Sequence, residues 1–304
     1  MTVPIADVAR MIAGRAKLAE MASLFSPGIE PPALLSPAAR RKLRRKMFVE
    51  TIPQTATRIF LAARAAVRRH GLGACLHGSG FLMRDKTIGA LGLPDPDRAL
   101  ASPDGLCGVA DDLSVATVMA AYERGLYPST HFGPMKWWAP RQRAVATPAL
   151  LARRLSEADR GASVDFDRDF ERALCDGDAA APTPPRLKWA FAHLFDAGFA
   201  HSFDIFARNG EKIGGGFGIA VGRVFVLEAL RFKDEESRGA GLAALARALE
   251  EREFTLVDGK HLTPELAACG FDELPRAAYA ARLQASLGRE KIGRWSAPEW
   301  REAA

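Results

Sequence analysis

The chain has 304 residues, 48% of them hydrophobic and 26% charged, and a formal net charge of +6. This composition excludes global disorder and a fibrous protein. No apolar run approaches the length of about 18 to 20 residues that a membrane span needs, and the N-terminus lacks a secretory signal pattern, so we expect a cytoplasmic protein. Its four cysteines form no C-x-x-C pair, which predicts neither a disulfide framework nor a cysteine-based metal site.

The positive charge is concentrated in the N-terminal third. Residues 1–100 hold 16 Lys and Arg against 7 Asp and Glu, whereas the rest of the chain holds 26 against 29. The densest basic run consists of Arg40, Arg41, Lys42, Arg44, Arg45 and Lys46. Such a run can bind RNA phosphates without sequence specificity. The alternative is a solvated helical face.

In the first half of the chain, the sequence predicts three helices. Apolar residues recur at helical spacing from Ile5 to Phe25 and from Thr55 to His70, and the proline-rich stretch between them predicts a loop. A third helix is predicted from Ser114 to Glu123, with an N-capping hydroxyl at its start and Gly125 after its end. Tyr127 to Arg143, rich in proline and aromatic residues, is predicted to be irregular.

The second half of the chain predicts an α/β arrangement. The predicted helices are Ala149 to Ala158, Phe170 to Cys175, Leu187 to Ala197, Ser237 to Glu251 and Ala277 to Ser286. The predicted strands are Val164 to Phe166, His201 to Ala207, Lys212 to Val221, Arg223 to Leu230 and Phe254 to Val257. The middle three follow each other across turns, which indicates an antiparallel meander. The last two flank a helix, which indicates a β-α-β unit.

Two segments after Pro103 carry a specific pattern. PDGLCGVADDLSVATVMAAYERGLYP, from Pro103 to Pro128, and PMKWWAPRQR, from Pro134 to Arg143, are separated by only five residues. They resemble the N-terminal domain of bacterial leucyl/phenylalanyl-tRNA-protein transferases, which have P-x-G-L-L-A-x-G-G-x-L-S, A-Y-x-x-G-I-F-P-W and P-x-x-W-W-S-P-x-x-R. The tandem tryptophan between prolines is rare and weighs most in this comparison.

The resemblance continues through four further segments, GFAHSFDIF, IGGGFGIAVGRVFVLEAL, LVDGKHL and CGFDELPR, and covers about residues 101–285. It implies an α/β (α+β) fold with an acetyltransferase-like (GNAT-like) catalytic domain at residues 161–290 and a smaller α+β domain at residues 101–160. Residues 1–100 would be a basic helical extension and residues 291–304 a C-terminal tail.

The resemblance implies transfer of an amino acid, such as Leu or Phe, from aminoacyl-tRNA to a protein N-terminus that begins with Lys or Arg, as in N-end rule tagging. No metal, organic cofactor or membrane is implied, and a monomer is the default expectation. The residues that would carry catalysis are Asp258, Lys260 and Glu228. Those that would bind substrate are Trp137, Trp138, Gly215, Gly216, Phe217, His201, Ser202, Ser237 and Arg238.

The sequence departs from the family pattern at functional positions, among them three single residues. Ser129 stands where the family has Trp, Lys260 where it has Gln, and Glu265 where it has His. A changed pocket predicts changed substrates. In this chain Lys260 could act as a cation that stabilises the oxyanion, with Asp258 as the nearby carboxylate.

Structural explanations of the same residues stay open at this point. Asp258 could cap a strand end or pair with Lys260, and Glu228 could pair with Arg231 or Lys233. His201 could be a hydrogen-bonded structural residue, the glycines after Ile213 could form a bulge, and the two tryptophans could be buried between domains.

Three other functions also stay open. The pattern R-x-x-G-x-A from Arg238 to Ala243 is similar to the pyrophosphate loop of acetyl-coenzyme A dependent N-acetyltransferases. A catalytically degenerate tRNA-binding or RNA-binding protein would account for Ser129, Lys260 and the basic extension. A purely structural interaction protein is the third alternative.

Overall fold

The computed structural model describes residues 36–84, 92–130, 133–158, 161–176, 182–288 and 293–295. The helix predicted from Ile5 to Phe25 lies outside these residues. Within them, no helix combines the length and the apolar character that crossing a membrane would require.

The described chain alternates helices and strands. The helices are α1 (Pro37–Met47), α2 (Ile52–His70), α3 (Leu72–Arg84), α4 (Val115–Glu123), α5 (Pro148–Arg154), α6 (Phe170–Cys175), α7 (Pro185–Asp196), α8 (Glu235–Glu251), α9 (Pro264–Cys269) and α10 (Arg276–Ser286). The strands are β1 (Leu106–Val109), β2 (Tyr127–Ser129), β3 (Lys136–Trp138), β4 (Gln142–Ala146), β5 (Ser163–Phe166), β6 (Ala200–Phe206), β7 (Lys212–Val221), β8 (Val224–Phe232), β9 (Leu256–Asp258) and β10 (Asp272–Pro275). The mixed α/β class predicted from the sequence is confirmed.

The strands form two sheets. A small antiparallel sheet has the order β1-β3-β2, and a seven-stranded sheet has the order β10-β4-β9-β8-β7-β6-β5. Among the described strands only β8 and β9 are parallel neighbours, and α8 joins them. The predicted β-α-β unit and the predicted meander of β6, β7 and β8 are therefore confirmed. Strand β4, which lies inside the range predicted for the smaller domain, pairs with β9 in the large sheet.

Helices cover both faces of the large sheet, and two apolar clusters fill the space between them. One cluster joins α4, α6, α7, α10 and the small sheet to the face that carries Phe217, Val226 and Leu256. The other joins α5 and α8 to the face that carries Phe203 and Phe225. Because side chains alternate along a strand, neighbouring residues of one strand face different clusters.

Two predictions of irregular structure are wrong. The stretch predicted as a loop before Thr55 contains α1, which Ser36 caps by accepting the backbone N–H of Ala39. The stretch from Tyr127 to Arg143 contains β2, β3 and the start of β4. Strands of three residues have no periodicity of their own, and they form here because Tyr127 pairs with Trp138 across the small sheet.

Candidate functional site

A cleft of about 560 Å³ opens where β8, the turn after β9 and the starts of α8 and α9 meet. Its apolar wall includes Leu227, Ala229, Leu230, Phe232 and Leu266. Its charged lining consists of Glu228, Arg238, Lys260 and Glu265. The cleft therefore offers an apolar surface beside groups that can accept or donate protons and hydrogen bonds.

A β-bulge directs Glu228 towards this cleft. Phe217 of β7 faces Ala229 of β8, but the next pair is Gly218 with Leu227, so Glu228 is an extra residue without a partner in the ladder. Its carboxylate accepts a hydrogen bond from the Tyr122 hydroxyl at 2.8 Å. Tyr122 lies on α4, so this contact joins the cleft to the part of the chain that resembles the family's N-terminal domain.

Lys260 completes an ion pair with Glu228. The distance from Lys260 Nζ to Glu228 Oε2 is 2.9 Å. Lys260 has a φ angle of 66°, in the left-handed region that residues with a side chain rarely adopt. Its backbone N–H donates to Asp258 Oδ1 at 2.7 Å, which holds the turn in this conformation. The alternative partners considered for Glu228, Arg231 and Lys233, do not supply its ion pair.

Asp258 lies beneath the turn rather than in the cleft. Its carboxylate is fully buried and forms an ion pair with the Arg143 guanidinium. The Tyr279 hydroxyl donates to Asp258 Oδ2 at 2.8 Å, and Arg143 also donates to the Gly125 carbonyl at 3.1 Å. Burial disfavours the charge of Arg143, but the Asp258 carboxylate and the Tyr279 and Tyr127 hydroxyls together raise the pKa of this guanidinium.

Tyr127 lies between the two ion pairs. The Arg143 guanidinium, on β4, is 5.1 Å from the centre of its ring. The Lys260 ammonium, in the turn after β9, is 5.3 Å from the same centre. Its hydroxyl is 2.6 Å from His261 Nε2. Burial, followed by the nearby charges of Arg69, Arg143 and Lys260, lowers the pKa of His261 to about 2. The imidazole is therefore neutral, and a hydrogen bond joins its Nε2 to the tyrosine hydroxyl.

The lowered pKa of His261 predicts a pH-dependent stability. Below about pH 6.5 the unfolded chain binds a proton at this imidazole that the folded chain does not, so stability falls as the pH falls, by at most about 1.4 kcal/mol per pH unit. We expect His261→Gln to flatten the dependence of the free energy of unfolding between pH 7 and pH 5. Urea unfolding measures it, with exposed His77→Gln as the control. Parallel curves for wild type and His261→Gln would contradict the assignment.

His201 lies on the other face of the sheet from Asp258. Its ring stacks on Trp295 at 3.6 Å, and its Nδ1 is 3.0 Å from Asp167 Oδ2. The Ser202 backbone N–H donates to the same carboxylate at 3.1 Å. The structure therefore does not bring His201 and Ser202 together with the cleft residues, and this hydrogen bonding is the arrangement expected of a structural histidine.

The predicted glycines and tryptophans also lie outside the lining of the cleft. A Cβ at Gly216 would be 2.0 Å from the Ala229 carbonyl oxygen, and one at Gly215 would be 2.7 Å from the Phe203 carbonyl oxygen, so neighbouring strands occupy this space. Trp137 and Trp138 are buried in the small sheet. Phe217, the residue before the bulge, is buried in the core beneath it.

Two of the predicted substrate residues, Ser237 and Arg238, lie at the start of α8. Arg238 lines the cleft, whereas Ser237 is buried and its backbone N–H donates to the capping Asp234 at 2.7 Å. Glu235 and Glu236 occupy the first turn of the same helix. Their charges oppose the binding of a pyrophosphate at this end of the helix.

The basic run of α1 has two faces. Arg40 and Arg44 are buried, and Arg44 Nε donates to Glu171 at 2.8 Å. The other four members are exposed: Arg41, Lys42, Arg45 and Lys46. Two of the six predicted RNA-binding residues therefore fasten α1 to the rest of the protein.

Sequence reasoning did not assign roles to Tyr122, Tyr127, Tyr279 and His261, although they complete the site. The motifs contain a signal for Tyr122, which belongs to the A-Y-x-x-G segment. They also contain one for Arg143, the partner of Asp258, which ends the motif with the tandem tryptophan. No local pattern distinguishes Tyr279 or His261, because their partners are distant in the sequence.

Comparison with known proteins agrees with this geometry. The family described as leucyl/phenylalanyl-tRNA protein transferase matches residues 143–284, and its N-terminal domain matches residues 111–141. The two ranges meet at the start of β4. They contain Glu228, Asp258 and Lys260 together with the tyrosines that contact them.

Named relatives support the same relationship. A leucyl/phenylalanyl-tRNA-protein transferase from Thiobacillus denitrificans is 33% identical over 66% of this chain and 92% of its own length. One from Aromatoleum aromaticum is 34% identical over 67% of this chain and 90% of its own length. A functionally unknown conserved protein from Staphylococcus epidermidis superposes over 56% of this chain and 68% of its own length, with a TM-score of 0.32 and 13% sequence identity. This similarity is too low to support a conclusion.

These matches define a transferase, in a chain whose fold is of the mixed α/β class. The chain belongs to the leucyl/phenylalanyl-tRNA protein transferase family. The resemblance of the sequence motifs to this family is thereby confirmed. Residues 36–84, which form α1, α2 and α3, lie outside both matched ranges.

Proposed function

We propose that the protein transfers an amino acid from aminoacyl-tRNA to the free N-terminus of an acceptor protein. The observation that carries this proposal is the Glu228 and Lys260 ion pair, held beside an apolar wall in the cleft of a chain that belongs to this family. The apolar wall suits an aliphatic or aromatic aminoacyl side chain, as the names of the relatives indicate for those proteins. The acceptor would begin with Lys or Arg, as in N-end rule tagging.

Lys260 and Glu228 would carry the chemistry. The acceptor amine forms a bond to the ester carbonyl carbon, and the resulting oxyanion is stabilised by the Lys260 ammonium. Glu228 accepts the proton that the amine loses, and this proton passes to the adenosine oxygen when the ester C–O bond breaks. Neither step requires a metal or an organic cofactor.

Asp258 would act as a positioning residue. It is fully buried, it accepts from the Lys260 backbone N–H, and its charge is neutralised by Arg143. Its proposed role is to hold the left-handed turn that directs the Lys260 ammonium to Glu228. Tyr127 would support the same ammonium from the other side through its ring.

The other predicted substrate residues would have different roles, according to where they lie. Arg238, at the rim of the cleft, would contact a phosphate of the tRNA 3′ end. His201, Ser202, Gly215 and Gly216 would support the sheet beneath the cleft rather than touch the substrate. Trp137 and Trp138 would keep the small sheet rigid against it.

We also propose an acetyltransferase-like (GNAT-like) catalytic domain at residues 161–290, with residues 101–160 as the smaller domain and residues 1–100 as the basic extension. The parallel pair β8 and β9 around α8, together with the bulge in β8, supports this architecture. The protein would work as a monomer, which is the default expectation, and in the cytoplasm, where charged tRNAs occur.

The test is transfer of labelled amino acids from a full set of charged tRNAs to peptides with different N-terminal residues, with acetyl-coenzyme A as a competing donor. We expect transfer from Leu-tRNA or Phe-tRNA and none from acetyl-coenzyme A, because Asp234, Glu235 and Glu236 surround the helix start that a pyrophosphate would need. Acetyl transfer alone would replace the proposal, and tRNA binding without transfer from any donor would leave an RNA-binding protein.

The exposed face of α1 gives a separate prediction for RNA binding. Changing Arg41, Lys42, Arg45 and Lys46 together to Gln removes four cations that the structure leaves at the surface. If each contacts one phosphate, the slope of log K against log salt for deacylated tRNA becomes less negative by about 0.7 to 0.9 per lost contact. Filter binding between 50 and 200 mM salt, about the range over which this effect is large, measures the slope. An unchanged slope would place RNA elsewhere.

A further inference from the structure

A second cavity, of about 470 Å³, lies where α1 packs against α7, and it shares no lining residue with the cleft. Its lining includes Arg40, Arg41 and Arg44 of α1, His193 and Asp196 of α7, and Arg294. These residues come from three separate parts of the chain. The cavity is therefore a product of the tertiary structure and not of the basic run alone.

Among the residues that the structure describes, positive charge is in excess at this cavity. Arg44 forms ion pairs with Glu171 and Asp196, and Arg40 lies 3.7 Å from Glu171 and 3.9 Å from Asp196. These two arginines and two carboxylates balance each other. Arg41 and Arg294 line the same cavity and add two further guanidinium groups, so the cluster carries two more positive than negative charges.

Arg294 is held in place by its surroundings. Its guanidinium carbon is 3.4 Å from the centre of the Phe195 ring, and its Nη2 is 3.8 Å from Asp196 Oδ1. Burial, followed by the charge of Arg40, lowers the pKa of Arg294. The guanidinium is thus fixed next to other cations, where an additional anion would be favourable.

We propose that this cavity binds a phosphate group, with Arg41 and Arg294 as its principal ligands. Guanidinium groups present paired donors that match phosphate oxygens, and a doubly charged phosphate would neutralise the excess charge. The phosphate could belong to an RNA backbone or to a free nucleotide, because both present the same group. The site lies partly in α1, outside the ranges that match the family, and does not depend on the proposed transfer activity.

Matched double variants test the site. Arg41→Gln with Arg294→Gln removes the excess charge and keeps Arg40 and Arg44, which neutralise the buried Glu171. Arg141→Gln with Arg168→Gln is the control, because it removes the same charge from side chains that are 63% and 55% exposed and that lie outside α1 and outside the cavity lining. Thermal unfolding checks that each variant folds.

Isothermal titration with pyrophosphate is the first measurement. We expect binding of one pyrophosphate by the wild-type protein, at least about tenfold weaker binding by the cavity variant, and unchanged binding by the control. If the cavity variant does not fold, Arg294→Lys keeps the charge and is expected to keep binding, whereas Arg41→Gln alone is expected to weaken it. No binding by the wild-type protein, or equal weakening in both double variants, would overturn the proposal.

Deacylated tRNA then distinguishes the two sources of phosphate. If RNA supplies the group, tRNA binding weakens about tenfold more in the cavity variant than in the control. If pyrophosphate binding is lost while tRNA binding matches the control, the site binds a free nucleotide or another small phosphate. Either result supports a phosphate site at this cavity.

Discussion

Replacing Lys260 with Ala is expected to lower kcat for transfer from the charged tRNA about 100-fold to 1000-fold, or about 2.7 to 4 kcal/mol of transition-state stabilisation. The proposed reason is that the turn after β9 holds this ammonium 2.9 Å from Glu228, where it can stabilise the oxyanion. Lys260→Gln keeps a hydrogen-bond donor and loses the charge, so its loss should be smaller, about tenfold. Single-turnover transfer of labelled amino acid to a peptide measures both.

Lys233 provides the control for this experiment. Its ammonium forms an exposed ion pair with Glu211 at 2.6 Å, on the surface beside β8. Lys233→Ala removes the same charge from the chain and is expected to leave kcat unchanged. Full activity of Lys260→Ala would refute the role of this cation, and an equal loss in Lys233→Ala would assign the effect to general electrostatics.

Asp258→Ala is expected to lower the free energy of unfolding by about 3 to 5 kcal/mol, because it leaves the Arg143 charge buried without its partner. Arg143 is 1% exposed and Asp258 is 0% exposed, so water cannot replace the lost interaction. Asp258→Asn keeps an oxygen for the Lys260 N–H but not the charge, and it should also destabilise the protein. Urea denaturation gives both values.

An exposed pair with the same two residue types is the control. Arg168 and Asp165 form an ion pair at 2.9 Å, and their side chains are 55% and 48% exposed. Asp165→Ala is expected to change the free energy of unfolding by less than about 1 kcal/mol. A similarly small effect of Asp258→Ala would contradict the buried ion pair. Loss of transfer by a folded Asp258→Asn protein would support its positioning of Lys260.

Much of the fold could be predicted from local sequence patterns. The helix predicted at Phe170 to Cys175 has these bounds in the structure, and the predicted start of α4 is set by the Ser114 cap. These elements follow from periodicity and capping, which depend on neighbouring residues. The short strands β2 and β3 were missed because their hydrogen bonds go to each other and to β1, and nothing within three residues specifies that pairing.

The site was predicted in part. Glu228, Asp258 and Lys260 were named from the motifs, but their arrangement was not. The expected contact between Asp258 and Lys260 is a hydrogen bond from the Lys260 backbone N–H to the Asp258 carboxylate, and the ion pair of this carboxylate is with Arg143, 115 residues earlier in the chain. Whether a carboxylate lies in a cleft or beneath it depends on which elements cover it, and the motif does not contain that information.

The basic run of α1 also shows that burial of charged residues depends on the tertiary structure. Six cations in seven residues were predicted as one RNA-binding group, but helical geometry turns Arg40 and Arg44 towards Glu171 and leaves the others at the surface. The carboxylate that decides this lies on α6. A charge run therefore predicts attraction for phosphates, whereas the distribution of its members depends on the surface against which the helix packs.

The sequence by itself determined the family, the order of the main helices and strands from α4 onwards, and the identities of the charged residues of the cleft. These properties depend on motifs and on spacing along the chain. Only the tertiary structure decided that Glu228 meets Lys260, that Arg143 neutralises Asp258, and that His201 faces away from both. The physical reason is that burial and ion pairing depend on distances in space, which are set by sheet order, the bulge in β8 and the packing of helices from distant parts of the chain.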